Sequence, residues 1–279
     1  MNKRRGDRKH GRPRRYTVEG PPAEDLPSQS IMSMSNTTGK YLHCIIKGKV
    51  PKDRFNLIGL EGNAVYTVNQ GNLSCLVSDT SCDHYPLWRE HIIAHQKPIE
   101  EIMKYYDVLP FSFSNIANNE DQIKEKVLKE RKDELEELFQ KFKGKTEVGL
   151  KAFWPDMQLI FQEIAKNSEL QRLKKTPSRL TYQRKIAAGE FVEKLLDKKK
   201  KEEAQNIIKT VNDLAEDVKE QQLFGENMIL NAAFLIKKGR ENEFARRVGI
   251  LACRFPNTKL SCSGPFPLYN FVSLKISLN

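Results

Sequence analysis

The chain has 279 residues, 39% of them hydrophobic and 30% charged, with a mean hydropathy of −0.60. That length suits two domains with a core each, and no apolar run approaches the roughly 20 residues that span a bilayer, which argues against a membrane protein. The net charge of +11 points toward nucleic acid until it is located: eight Lys and Arg residues stand against Asp7 alone in residues 1–15, and the remainder holds 39 basic and 35 acidic residues.

Residues 1–39 are rich in Arg, Gly, Pro and Ser without apolar periodicity and are expected to form a disordered basic arm. No apolar stretch follows the basic start, so no signal peptide is expected. Tyr41–Ile46 is a compact apolar run that reads as a buried strand. Val65–Val68 and Leu73–Val77 flank Asn69-Gln70-Gly71-Asn72, a hairpin signal. From Leu87 to Tyr106, Trp88, Ile92, His95, Ile99 and Ile102 recur at helical spacing. Val108–Phe113 reads as extended, and Pro110 confines it to a sheet edge or a bulge.

Asn118–Phe142 is predicted as one long charged helix of about 35 Å with Ile123, Val127, Leu135, Leu138, Phe139 and Phe142 on one side. Gly144 would cap its end. Val148, Leu150, Ala152 and Trp154 then mark one face of a strand, and Pro155-Asp156 opens a shorter helix. Residues 178 to about 220 read as mostly helical, including Val218. Asn227–Ile236 is a dense apolar strand, Glu241–Cys253 a helix, and a final half-buried strand is expected after the proline segment, from Val272, Leu274, Ile276 and Leu278.

The predicted class is α+β in two domains: residues 40–144 as an N-terminal α+β unit ending in a long helix, and 145–279 as a modified ferredoxin-like sandwich with a long helical insertion. The five cysteines are scattered and never spaced as C-x-x-C, the usage expected of a reducing cytoplasm.

Candidate chemistry is sparse. Cys82-Asp83-His84 with His91 and His95 invites a metal reading, since His91 and His95 are four apart on the predicted helix. A zincin motif needs Glu directly after its first histidine, but Ile92 stands there, and His95 falls on the apolar stripe. Glu100 and Glu101 point about 100° apart on a helix and read as a solvated edge. Lys198–Lys201 lacks the interleaved aromatics of a base-stacking surface and reads as a helix joint or solvated face. Phe153-Trp154 reads as core. No phosphate-binding glycine loop or nucleophile elbow occurs, so neither enzyme nor cofactor is expected.

Several phrases nevertheless converge in order: Tyr41-Leu42-His43-Cys44-Ile45-Ile46, His95 to Met103, Val108-Leu109-Pro110-Phe111, Glu147 to Trp154, Met228 to Leu235, and Gly264-Pro265-Phe266-Pro267-Leu268-Tyr269-Asn270-Phe271-Val272. Together they resemble the GvpL/GvpF family of gas vesicle proteins over about Tyr41 to Ile276. Phe266 and Leu268 stand where the family more often has Trp and Pro, and Ser112 where an arginine is frequent. The resemblance implies two α+β domains, the second a modified ferredoxin fold. It also implies a non-enzymatic role in gas vesicle assembly, or as a minor gas-facing component, in the cytoplasm and on the vesicle. The implied partners are the small hydrophobic shell protein GvpA and other accessory proteins, with no membrane and no small-molecule substrate. Phe266, Leu268, Tyr269 and Phe271 are the expected partner contacts, with Phe266 and Tyr269 near the surface. The alternative is nucleic-acid binding through the basic arm. A third reading is a metal hydrolase at His91 and His95.

Overall fold

In the computed structural model, which describes residues 34–52, 55–175 and 182–276, the first sheet grows around β1 (Met34–Lys47). β2 (Val65–Gln70) and β3 (Leu73–Cys82) form the expected hairpin, β4 (Val108–Pro110) takes the edge that Pro110 demands, and β5 (Ile116–Ala117) pairs with β1 as well. The order is β2-β3-β1-β4, antiparallel throughout. β1 begins at Met34, within the stretch expected to belong to the arm; residues 1–33 lie outside the described residues.

Tyr41–Ile46 is apolar almost without interruption because both faces of β1 are covered. A register shift between Leu42 and Cys44 switches parity there. Leu42 and Ile45 therefore enter one core, and Cys44 and Ile46 another, under α1 (Arg89–Ile102), which contributes Ile99 and Ile102.

The opposite face is covered by the stretch predicted as one long helix, which is instead segmented. α2 (Glu120–Gln122) runs into a π-helical stretch, Ile123–Lys129, and α3 (Lys132–Lys141) restarts after Arg131. The wider register, closed by the Glu130 N–H to Glu125 carbonyl bond of 2.9 Å, lets Leu128 join Ile123 and Val127 on the buried side. Arg131 breaks the run by turning its guanidinium onto Glu134 at 2.7 and 2.8 Å and onto the Lys275 carbonyl at 2.9 Å. Gly144 follows at φ 66°, a left-handed conformation that costs glycine little.

The second sheet contains β6 (Lys145–Phe153), β7 (Ala215–Glu220), β8 (Met228–Lys237) and β9 (Lys259–Phe266) in the order β7-β8-β6-β9. With α4 (Met157–Ala165), α5 (Ser168–Lys175) and α6 (Tyr182–Val211) between β6 and β7, and α7 (Glu241–Ala252) between β8 and β9, this is the ferredoxin-like βαββαβ order with a swollen first crossover. Asp156 caps α4 through Oδ1, which accepts the Gln158 and Leu159 N–H groups at 2.8 and 3.3 Å. The fully buried Trp154, Phe234 and Phe244 anchor an apolar core with Ile160 and Ile207.

Two expectations fail in this half. Residues 215–220 form the edge strand β7, not the end of a helix; α6 stops at Val211 and a 3₁₀ turn, Asn212–Leu214, intervenes. The expected closing strand after the prolines is displaced as well. The regular strand is β9, ending at Phe266, and among the described residues beyond it the strand pairing is an isolated parallel bridge between Leu274 and Phe111. Leu278 lies outside the described residues.

Candidate interaction surface

Pro267–Ile276 leaves the second sheet and crosses to the first, as a strap. At its root, Gly264 (φ 121°) passes so close to β6 that a Cβ there would sit 3.0 Å from the Glu147 carbonyl oxygen. Leu268, Val272 and Leu274 then join the first core with Phe111, Val127 and Leu235, while Ser273 and Lys275 face outward. The alternation in the sequence is therefore real, but it serves docking more than strand pairing.

The strap is held by a few specific bonds. The carboxylate of Glu147, only 3% exposed, accepts the Asn270 backbone N–H at 2.9 Å and the Asn270 Nδ2 amide at 2.6 Å. Burial raises the Glu147 pKa against the pull of those two bonds. Further along, the Ser112 N–H donates to the Leu274 carbonyl at 3.0 Å, and the Ile276 N–H to Asn115 Oδ1 at 2.8 Å. Alternation along β6 puts Glu147 opposite the apolar face of Val148, Leu150 and Ala152; the strap covers that second face, which local alternation does not reveal.

Of the four contacts expected on a partner-binding surface, none is fully exposed. Leu268 is 5% exposed and in the first core. Phe266 and Phe271 are half-buried, Phe271 lying against that core with Lys219 Nζ 5.4 Å from its ring centroid. Tyr269 is half-buried against the core beneath α1, 6.3 Å from the His95 ring. Its hydroxyl is, among the described residues, the buried side-chain polar atom left with no hydrogen-bond partner. In this conformation the four residues bind the chain to itself.

The histidines do not converge on an ion. His95 Nδ1 meets the Tyr41 hydroxyl at 3.0 Å, and His43 Nε2 meets Ser78 Oγ at 3.1 Å. Burial lowers the His43 pKa to about 3, with His95 beside it adding to the effect, and lowers that of His95 to about 4. His91 stacks on Trp88 and contacts the Pro86 carbonyl at 3.1 Å, His84 contacts Ser114 Oγ at 3.2 Å, and Cys82 Sγ donates to Glu61 at 3.0 Å. Among the described residues no three His, Cys, Asp or Glu side chains are grouped to hold a metal.

Glu101 pairs with Lys104 at 2.6 Å, the solvated arrangement expected of it. Lys199 in mid-α6 pairs with Glu163 of α4 and with Glu203 at 2.9 and 2.8 Å, as a helix joint would, while Lys198 and Lys201 are exposed. Trp154 is core, its indole N–H donating to Glu203 at 2.9 Å. The basic residues of the arm lie outside the described residues. Sequence reasoning misses the exposed apolar side chains at the start of α1, where Leu87, Trp88 and Ile93 are 74%, 51% and 49% exposed. Among the described residues no helix is long and apolar enough to cross a membrane.

Comparison with known proteins places this architecture. Residues 39–273 match the model of the family described as gas vesicle synthesis protein GvpL/GvpF. Gas vesicle protein F of Nostoc sp. is 28% identical, over 78% of this chain and 91% of that protein, and gas vesicle protein F of a Streptomyces sp. is 28% identical over 83% and 98%. The crystal structure of GvpF from Anabaena sp. superposes with a TM-score of 0.77 at 27% identity, covering 86% of this chain and all of that one. The structure of GvpF from Microcystis aeruginosa gives 0.72 at 27% identity, over 85% and 99%. This chain belongs to the GvpL/GvpF family of gas vesicle synthesis proteins.

Proposed function

We propose that this chain acts in gas vesicle assembly by binding the small hydrophobic shell protein GvpA, with other accessory proteins as further partners. Its role is non-catalytic, in the cytoplasm and on the growing vesicle. The two working units are residues 40–144 and 145–279, tied together by the strap. The observation that carries this reading is the family match running from residue 39 to 273, through both sheets and into the strap.

Physical chemistry supports binding in preference to catalysis. The perturbed histidines, His43 and His95, are buried and hydrogen-bonded to neighbours, as structural imidazoles are. Apolar subunits that must meet only at the growing rib need their faces covered beforehand, and strand edges or exposed apolar side chains can do that. Deleting the gene in a vesicle-forming cell should abolish or sharply reduce vesicles, and the purified chain should retain GvpA on an affinity column. Normal vesicles in the deletion strain overturn the assembly role, and absence of GvpA from the column overturns the choice of partner.

A further inference from the structure

The strap is an awkward occupant of its own seat. It buries the Tyr269 hydroxyl with no partner and holds the Glu147 carboxylate away from water, and either group is better solvated once the strap lifts. A cleft of about 20 Å³ persists at its start, bounded by Leu109, Phe139, Phe142, Phe266, Pro267 and Leu268. Among the described residues its strand pairing with the first sheet is an isolated parallel bridge, Phe111 to Leu274, beside the short edge strand β4. Pro265 and Pro267 stand where the pairing of β9 ends, so the segment beyond them is not locked into a ladder.

The seat nevertheless has a definite chemical preference, and the strap displays it. An extended segment is accepted with apolar side chains at alternate positions (Val272, Leu274 and Ile276) and small or solvated ones between (Ser273 and Lys275). We propose that the strap is an intramolecular stand-in: when it peels away, its seat beside Phe111 takes an extended segment of the shell subunit that carries the same alternating apolar pattern. This rests on the proposed function, that the chain binds that subunit. Closed, the strap hides Leu268, Val272, Leu274 and Phe111 from wrong partners. Its displacement lowers apparent affinity by the fraction of molecules that are open.

Ser112 Oγ and Ser273 Oγ lie 3.4 Å apart, so a cysteine pair there can lock the strap. The test uses the full chain with S112C and S273C in a background where the exposed Cys253 and Cys262 are serine. The probes are purified GvpA and a labelled peptide of residues 267–276. The reduced chain should bind GvpA as wild type does, the oxidised chain at least tenfold more weakly, and reductant should restore binding. The peptide should compete with GvpA. E147A, which removes the latch, should raise apparent affinity several-fold while the far-UV spectrum stays native. Equal binding by oxidised and reduced chains overturns the inference alone and leaves the proposed function intact. Failure of the wild-type chain to bind GvpA overturns both. If the disulfide does not form, the E147A arm decides: unchanged or weaker affinity in a folded protein overturns the inference.

Discussion

The two sheets are stabilised in different ways. The second packs a dry core in which Trp154, Phe234 and Phe244 are fully buried, and the one polar atom of that trio is paired with Glu203. The first places two imidazoles at its centre, stacked 5.9 Å apart at 17° and fixed by Tyr41 and Ser78, and it borrows apolar side chains from the far end of the sequence. The core of one half is therefore apolar and drawn from its own elements, while the core of the other holds two titratable imidazoles and depends on a distant segment.

The largest test of this contrast is truncation of the dry core. Phe234→Ala leaves a cavity against Phe244, whose ring lies 5.1 Å away. It should cost about 3–5 kcal/mol in urea unfolding, by a similar amount at pH 8 and pH 6. Acid is the next test. His43 and His95 are held at about 3 and about 4 against an ordinary 6.5, so between those values the unfolded chain binds protons that the folded chain refuses. Stability is full above pH 6.5 and falls as pH drops through that window, by up to about 1.4 kcal/mol per pH unit for each imidazole. Glu147 and Glu100, whose pKa values burial raises, act in the opposite direction above the ordinary carboxylate range. The informative comparison is thus wild type with the H43Q/H95Q double variant, whose stability curve between pH 6.5 and 5 should be flatter. A parallel slope in the two proteins shows that the histidines do not set the acid sensitivity.

Smaller effects probe the ties. Glu147→Ala leaves the Asn270 amides without their acceptor and should cost about 1–3 kcal/mol, with faster hydrogen exchange confined to residues 267–276 and their seat. Asp156→Ala removes the α4 cap and should cost about 1 kcal/mol, felt in the second half alone. An exchange increase for Asp156→Ala that spreads to β1 would show that the two halves do not separate in this way.

Most of this architecture is legible in the sequence because its signals are local. Tyr41–Ile46, the hairpin around Gly71, Val148 to Trp154 and Met228 to Leu235 each carry their apolar pattern within one element. β7 is illegible because an edge strand tolerates charge: in Ala-Glu-Asp-Val-Lys-Glu only two apolar residues survive, three apart, which fits a helix as well as a strand. β9 escapes for a related reason, since Leu-Ser-Cys-Ser-Gly carries only two apolar side chains and is mostly exposed. At the break, Arg131 donates to the Lys275 carbonyl, a partner far away in sequence. The candidate contacts Phe266, Leu268, Tyr269 and Phe271 do cluster on one segment, but which way they face is decided by Glu147 and Phe111, and periodicity carries no information about either.

The strap also orders events in time. A polypeptide leaving the ribosome presents Tyr41–Ile46 and its hairpin early, yet the core beneath them lacks Leu268, Val272 and Leu274 until residue 276 is clear of the exit tunnel. The second sheet needs nothing beyond Phe266. Protease challenge of released chains truncated between residues 266 and 276 should therefore find the later-made half resistant while the first-made half is still cut. The half synthesised first is the half that finishes last.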